Sequence, residues 1–338
     1  MKPFLRNFAV STLLTVATLI AVLVGMGASA ALVTLVLVGI EVAFSFDNAI
    51  INAKVLEKLS HVWQQLFLTV GVVIAIVGMR LVFPIVIVML ASHLGWSDVL
   101  NLALHHPHQY ADKLEQAHPA IAAFGGAFLL TLTLYFFWDK DKEIHWLERL
   151  ERPVSNRGNG WLPVLIAFFV VVAVAALPFN HHAGETLRAG LLGVAVYVAI
   201  KLFIDLIGKL AGPVKSSVYT GWAAFGVFMY LQVLDASFSF DGVIGAFAIT
   251  NVVILIAAGL GVGALWVRSL TVFMVRRGVL SAYKYLEHGA HYAIGFLAAA
   301  LLISLFFEIP DAVTGVAGLG IIWASFAASR EALRASNG

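Results

Sequence analysis

Ten apolar runs, each long enough to cross a hydrocarbon core of roughly 30 Å, follow one another along the 338 residues with little polar sequence between them. They fall at about residues 8–27, 30–53, 63–91, 117–138, 161–178, 185–207, 217–247, 251–275, 288–307 and 312–329. In lipid the backbone polar groups of a segment must be satisfied within it, so all ten read as helices. The chain is 61% hydrophobic and 12% charged, where soluble proteins carry about a quarter charged residues. No stretch remains for a separate water-soluble core. The expected architecture is therefore one all-α, polytopic transmembrane bundle over residues 1–338, in contact with the lipid bilayer.

Charge placement orients the spans. With the amino terminus inside, the inner segments carry 16 of the 21 Lys and Arg residues, the outer ones only Lys113 and Arg188, and Arg80, Lys201 and Arg268 fall within helices. This asymmetry is the positive-inside signature, and it places both termini in the cytoplasm. Lys2 and Arg6, followed by an apolar run and then Ala28-Ser29-Ala30, have the form of a cleavable signal peptide. The next apolar run begins at once, and the charge separation holds only if the segment stays as a first helix. Between the third and fourth spans, Ser97 to Gln116 is polar and rich in histidine; it reads as an amphipathic surface helix or a packed external loop.

Two segments of the chain match each other. At an offset of 194 residues, Phe44-Ser45-Phe46-Asp47 falls on Phe238-Ser239-Phe240-Asp241, Glu41 on Asp235 and Ile50 on Ile244. Each acidic helix is followed by one with a single arginine, Arg80 or Arg268, and then by one opening on His118 or His291. Three consecutive helices thus repeat: a first repeat over 30–138, a connection over 139–216 and a second repeat over 217–329. An odd number of crossings separates the acidic helices, so the repeats are inverted. Inverted repeats with a midplane site at their interface are common among secondary transporters.

A charge near the bilayer centre costs about 2.5–3.5 kcal/mol on insertion scales, and Glu41, Asp47, Asp205, Asp235 and Asp241 lie at such depths. Lys201 and Asp205, spaced i to i+4, read as a structural ion pair, and Arg80 and Arg268 can neutralise two more acids. Two negative charges remain for a bound divalent cation or for protons. The accompanying ligands, the Ser45 and Ser239 hydroxyls and the Asn48 amide, are oxygen donors that suit hard ions such as Mg²⁺, Ca²⁺ or Mn²⁺. On an unbroken helix Glu41, Ser45 and Asn48 share a face and Asp47 does not. The repeated six-residue spacing therefore predicts a break near Phe-Ser-Phe-Asp in each half, with Gly242 permitting the second. Glu41 and Asp235 are expected near the midplane, and Asp47 and Asp241 about 9 Å to either side at 1.5 Å rise per residue.

Other features carry less. His93, His105, His106, His108, His118, His181 and His182 fall outside; they read as a solvated loop, with metal binding or pH sensing as the alternative. His288 and His291 read as packing or capping. The Gly259-Leu-Gly261-Val-Gly263 run lies in a spanning helix and reads as close helix packing, not a nucleotide loop. No cysteine is present, so disulfides and thiolate ligands are excluded. The net charge of +2 is dispersed among short loops, which leaves no nucleic-acid footprint. Neither a catalytic triad nor a Walker motif stands in the loops; no enzyme activity and no organic cofactor are expected.

The segments Glu41-Val-Ala-Phe-Ser-Phe-Asp47-Asn48 and Asp235-Ala-Ser-Phe-Ser-Phe-Asp241-Gly242, with Arg80 and Arg268, resemble the TerC (tellurium-resistance) family of integral membrane proteins, in a divergent branch of unknown function. The resemblance covers about residues 30 to 310. It implies kinship with the LysE-like transporter group and its manganese exporters, and matches the family's acidic motif residues to Glu41, Asp47, Asn48, Asp235 and Asp241. Gly242 stands where relatives often carry Ser. The expected function is efflux of a divalent metal cation, manganese favoured, across a bacterial inner membrane. The alternative is a metal-sensing or scaffold protein of the metal or tellurite stress response, contacting partner proteins through the inner loop Asp139 to Gly160. Homo-oligomerisation stays open.

Overall fold

A computed structural model describes residues 2–92, 94–140, 142–155, 160–210, 218–247, 249–250, 252–307 and 309–337, without the side chains of 2–7, 90, 91, 207–210, 239–241, 244, 311, 312, 336 and 337. His93, Arg157 and Lys215, assigned above to loops, lie outside the described residues, as do the side chains of Lys2, Arg6 and Lys209.

The helices run α1 (Lys2–Met26), α2 (Ala28–Phe44), α3 (Phe46–Leu56), α4 (His61–Val73), a π-helical stretch (Ile74–Val82), α5 (Phe83–Ser92), α6 (Trp96–His105), α7 (Pro107–Phe137), α8 (Glu148–Ser155), α9 (Leu162–Ala176), α10 (Ala183–Leu210), α11 (Gly221–Phe247), α12 (Val253–Arg277), α13 (Val279–Ala282), α14 (Leu286–Ile303) and α15 (Asp311–Asn337). Among the described residues seven helices are long and apolar enough to cross a membrane, and α2 with α3, meeting at 54°, makes an eighth crossing. Every one of the ten apolar runs is helical, with α9 and α11 accounting for the other two. The chain is an all-α polytopic bundle. Large apolar side chains such as Leu13, Phe169 and Trp323 are exposed on its outside, as a lipid-facing surface requires.

Two boundaries differ from expectation. The polar stretch after the third span is no separate loop: α6 takes its first part, and the remainder is the opening of α7, which begins at Pro107 and continues as one 31-residue helix. Pro107 at the first helical position favours an early start, because its missing N–H would be unpaired there in any case. The third crossing changes its winding midway, since Ile74–Val82 is π-helical and delivers Arg80 to the interior. A π turn takes up extra residues and so rotates the side chains of the next turn about the helix axis.

Glycine sets the tightest approach. α12 lies along α2 with Gly259 and Gly263, one turn apart, against Leu37 and Glu41; a Cβ on Gly263 would stand 2.5 Å from the Glu41 Cβ. Small residues spaced four apart let backbones meet in this way where lipid offers no hydrophobic drive between helices. α12 ends at Gly278, whose left-handed φ of 58° closes the last turn behind Arg276 and Arg277.

At one end of the bundle the segment after α7 folds back onto α14. Its anchor is Glu151, 2% exposed, which accepts from Lys142 Nζ at 2.9 Å, the Leu147 amide at 3.0 Å and the Tyr292 hydroxyl at 3.2 Å. His288 Nε2 donates to the Ile144 carbonyl at 2.7 Å, and His291 stacks on Phe136 with ring centroids 3.5 Å apart; both histidines pack, as the sequence suggests. Burial alone raises the Glu151 carboxyl, but the Lys142 ammonium and the Leu147 N–H hold it below its ordinary 4.5.

Two outcomes are expected in thermal unfolding of the detergent-purified protein. Gly263→Ala lowers stability by about 1–3 kcal/mol through overpacking, whereas Gly320→Ala, with nothing within 4 Å of its added Cβ, is neutral or stabilising by up to about 1 kcal/mol. Glu151→Gln costs about 3–5 kcal/mol at neutral pH by stranding the buried Lys142. Because the folded carboxyl lies below 4.5, its stabilisation is full above that pH and fades as pH falls through the lower folded value. The gap between Glu151→Gln and the parent should close there.

Candidate functional site

The break between α2 and α3 falls at Ser45, within the first acidic motif, where φ −97° and ψ 18° interrupt the helix. The turn brings residues six apart to one cavity: Glu41, Ser45 and Asp47 line a space of about 60 Å³ together with Thr314, Phe44, Gly242 and small residues of α15. That volume admits a few waters or a small ion with part of its shell. Ser45 Oγ donates to Glu41 Oε1 at 3.1 Å, and the Asn48 backbone N–H donates to Asp47 Oδ1 at 2.8 Å.

The second motif behaves differently. α11 passes unbroken through residues 238–242 and ends at Phe247, so the expected second break is absent. A glycine inside a helix costs only about 1 kcal/mol, too little to interrupt one held on several sides. Gly242 lies beside the carboxylate of the other half, where a Cβ on it would stand 3.5 Å from Glu41 Oε2, an ordinary contact. Ser239 and Asp241 lie on this helix with their side chains outside those described.

Both halves pair an acid with an arginine of the following helix. Arg80 donates to Glu41, and Arg268 Nη2 donates to Asp235 Oδ2 at 2.8 Å. Equivalent positions of the two repeats thus make equivalent bonds. The halves then interlock. Asn48 Nδ2 donates to Asp235 Oδ1 at 2.7 Å, and the Arg268 guanidinium lies 3.8 Å from the Phe67 ring centroid. All four charged groups are buried or nearly so, where a paired charge is tolerable and a lone one is not.

Asp47 has no basic partner among the described residues and is 7% exposed. Among the described side chains of this region, three acids (Glu41, Asp47, Asp235) face two arginines, and the carboxylate left over is the one that lines the cavity. Among the described side chains the acids fall into two linked centres. Glu41, Ser45 and Asp47 meet at the cavity, while Asn48 and Asp235 form the adjoining centre with Arg268. Among the described residues no three carboxylates or histidines converge on one point, because the arginines occupy two of the acids.

Lys201 and Asp205 are apart from this site and from each other. Lys201 Nζ lies 4.5 Å from the Tyr135 ring centroid, and no ion pair joins it to Asp205. The i to i+4 pair loses to a cation–π contact that keeps the ammonium partly sheltered.

Sequence reasoning missed four features. Thr314 and α15 wall the cavity, though the last span reads as a short closing helix. Phe44, just before the break, packs so closely on Gly315 that any side chain there would collide with its ring. Asn52, one turn past Asn48, and Gln232, three residues before Asp235, are buried beside the second centre. Asn48 Oδ1, Asn52 Oδ1, both polar atoms of the Gln232 amide and Arg268 Nη1 find no hydrogen-bond partner among the described residues. α3 and α11 run antiparallel, as the Asn48–Asp235 bond and the Leu59–Tyr219 bridge show, so Asn52 and Gln232 lie on the same side of that bond. The i to i+4 recurrence of asparagine in an apolar helix was the available signal.

Arg268→Met alone should cost about 3–5 kcal/mol by stranding Asp235, and adding Asp235→Asn should recover most of it. Unfolding midpoints of the single and double variants measure both.

No curated protein and no solved structure matches the chain. One family model does, over residues 46–336, from the residue before Asp47 to the end of α15. The chain belongs to the family described as "Protein of unknown function (DUF475)".

Proposed function

We propose that the protein is a membrane transporter that exports a divalent metal cation, manganese favoured, through the cavity beside the break in its first acidic motif. The observation that carries this reading is Asp47: a buried carboxylate with no basic partner among the described residues, on the wall of a cavity sized for an ion. Such a group needs a proton or a cation. The donors around it, carboxylates and hydroxyls, are the oxygen set that hard divalent ions prefer over soft ones. The resemblance of both motifs to the TerC family and its manganese-exporting kin supports the same substrate.

In this reading the ion arrives as substrate and competes with Arg80 for Glu41. Asp47, Glu41, Ser45 and Thr314 offer it oxygens, while the Arg80 guanidinium is released from one carboxylate oxygen. Exchange between arginine and metal at one acid gives two states of similar energy, which alternating access requires. The bend at Ser45 is the element that changes, and protons or an ion gradient supply the driving term. The positive-inside charge pattern supports a reading with both termini in the cytoplasm, here of a bacterial inner membrane.

A second reading, a membrane metal sensor or stress-response scaffold, draws on the arginine pairs themselves, since acids already neutralised hold a structure together as readily as they release an ion. Proteoliposome flux separates the two. Export predicts Mn²⁺ movement that falls by about tenfold or more in Asp47→Asn, tenfold being the loss of about 1.4 kcal/mol of ion interaction. Cells carrying Asp47→Asn or Asp241→Asn should accumulate manganese and become sensitive to it. No flux in the parent protein, or equal flux in the variants, rejects export.

A further inference from the structure

A second cavity, of about 270 Å³, opens between α3, α10 and α11 and is lined by Lys58, Lys201, Asp205, Tyr197, Tyr219 and Tyr230. It sits at the end of the bundle where Tyr219 bridges Leu59 and so joins the turn after α3 to the start of α11. Lys54 and Lys58 stand at this end, and tyrosine is a residue of the membrane interface, with an apolar body and a polar tip. The cavity is thus at headgroup depth, with its lipid-facing side formed by α10, where Leu202 and Leu206 are exposed.

Among the described residues its polar groups make no hydrogen bond or ion pair with one another. Lys201 touches only the Tyr135 ring, Asp205 has no basic partner, and the Tyr197, Tyr219 and Tyr230 hydroxyls close on no protein group among the described residues. Two ammonium groups against one carboxylate disfavour a metal cation, so the cavity is a poor mouth for the ion route. They favour an anionic oxygen group, which ammonium and phenol donors bind by charge-assisted hydrogen bonds. Basic pockets between spanning helices at the membrane surface take lipid headgroups. Asp205, one helical turn from Lys201, then faces whatever lies beyond the phosphate. Neighbours one turn apart are about 5–6 Å from Cβ to Cβ, a spacing suited to the phosphate and the amine of one ethanolamine phosphate.

We infer that this cavity binds the headgroup of an aminophospholipid, its phosphodiester on Lys201, Lys58 and the tyrosine hydroxyls and its ammonium on Asp205. The inference does not depend on whether the protein moves an ion.

Native mass spectrometry of the full chain, delipidated in detergent and titrated with phosphatidylethanolamine, phosphatidylglycerol or inorganic phosphate, tests it. The parent should retain phosphatidylethanolamine in preference to phosphatidylglycerol, with no stable phosphate adduct. Lys201→Met should weaken both lipids by about tenfold or more. Asp205→Asn should weaken phosphatidylethanolamine alone and erase the preference. Tyr230→Phe, which removes a single hydroxyl, should weaken both lipids to a smaller extent, and Phe169→Ala, exposed on α9 and outside the cavity lining, should leave the adducts unchanged; melting temperatures near the parent's qualify each variant. Phosphatidylglycerol bound as tightly as phosphatidylethanolamine, an adduct with inorganic phosphate in place of lipid, or phosphatidylethanolamine retained by Lys201→Met and Asp205→Asn would each overturn the assignment.

Discussion

Two buried carboxylate–guanidinium pairs, Glu41 with Arg80 and Asp235 with Arg268, tie the bundle together, and the rest of the interior is arranged so that they can form. Neither partner is tolerable alone in an apolar setting. The π-helical turn brings Arg80 inward, Gly263 lets Glu41 approach α12, and Phe67 gives the Arg268 guanidinium an aromatic face. Asn48 then bonds across to Asp235, so the halves are fastened through the same groups that compensate their charges. With both arginines engaged, one carboxylate among the described side chains, Asp47, is left at the cavity without a basic partner.

That each apolar run is helical was legible because lipid imposes one rule on every segment: satisfy the backbone internally or do not cross. Arg80 and Arg268 were legible as counter-charges for the same reason, since a lone acid at depth demands a partner. The break in the first motif followed from spacing, because residues six apart cannot share a helical face. The same reasoning applied to the second motif was wrong. There the helix runs whole through Gly242, which lies at ordinary contact distance from the Glu41 carboxylate. Spacing within a segment says nothing of the groups that press on it from outside.

Other parts were illegible for related reasons. No pattern announces that Ile74–Val82 winds as a π-helix, and without that rotation the direction of Arg80 is unknown. Thr314 lies in a helix whose sequence suggests only a last crossing, and its place on the cavity wall is decided by tertiary packing. Lys201 and Asp205 show the limit of the i to i+4 rule, since an aromatic ring one helix away outcompetes a neighbour on the same helix.

The contact of Phe44 with Gly315 joins two elements that are otherwise far apart in the chain. The ring belongs to the last residue before the bend, and it occupies the place where α15 lacks a side chain. Any straightening or deepening of that bend carries the ring against the backbone of α15, and any tilt of α15 pushes back on the bend. The angle of the acidic helix and the position of the cavity wall formed by α15 are therefore one mechanical coordinate, so that the shape of the cavity and its exposure change together.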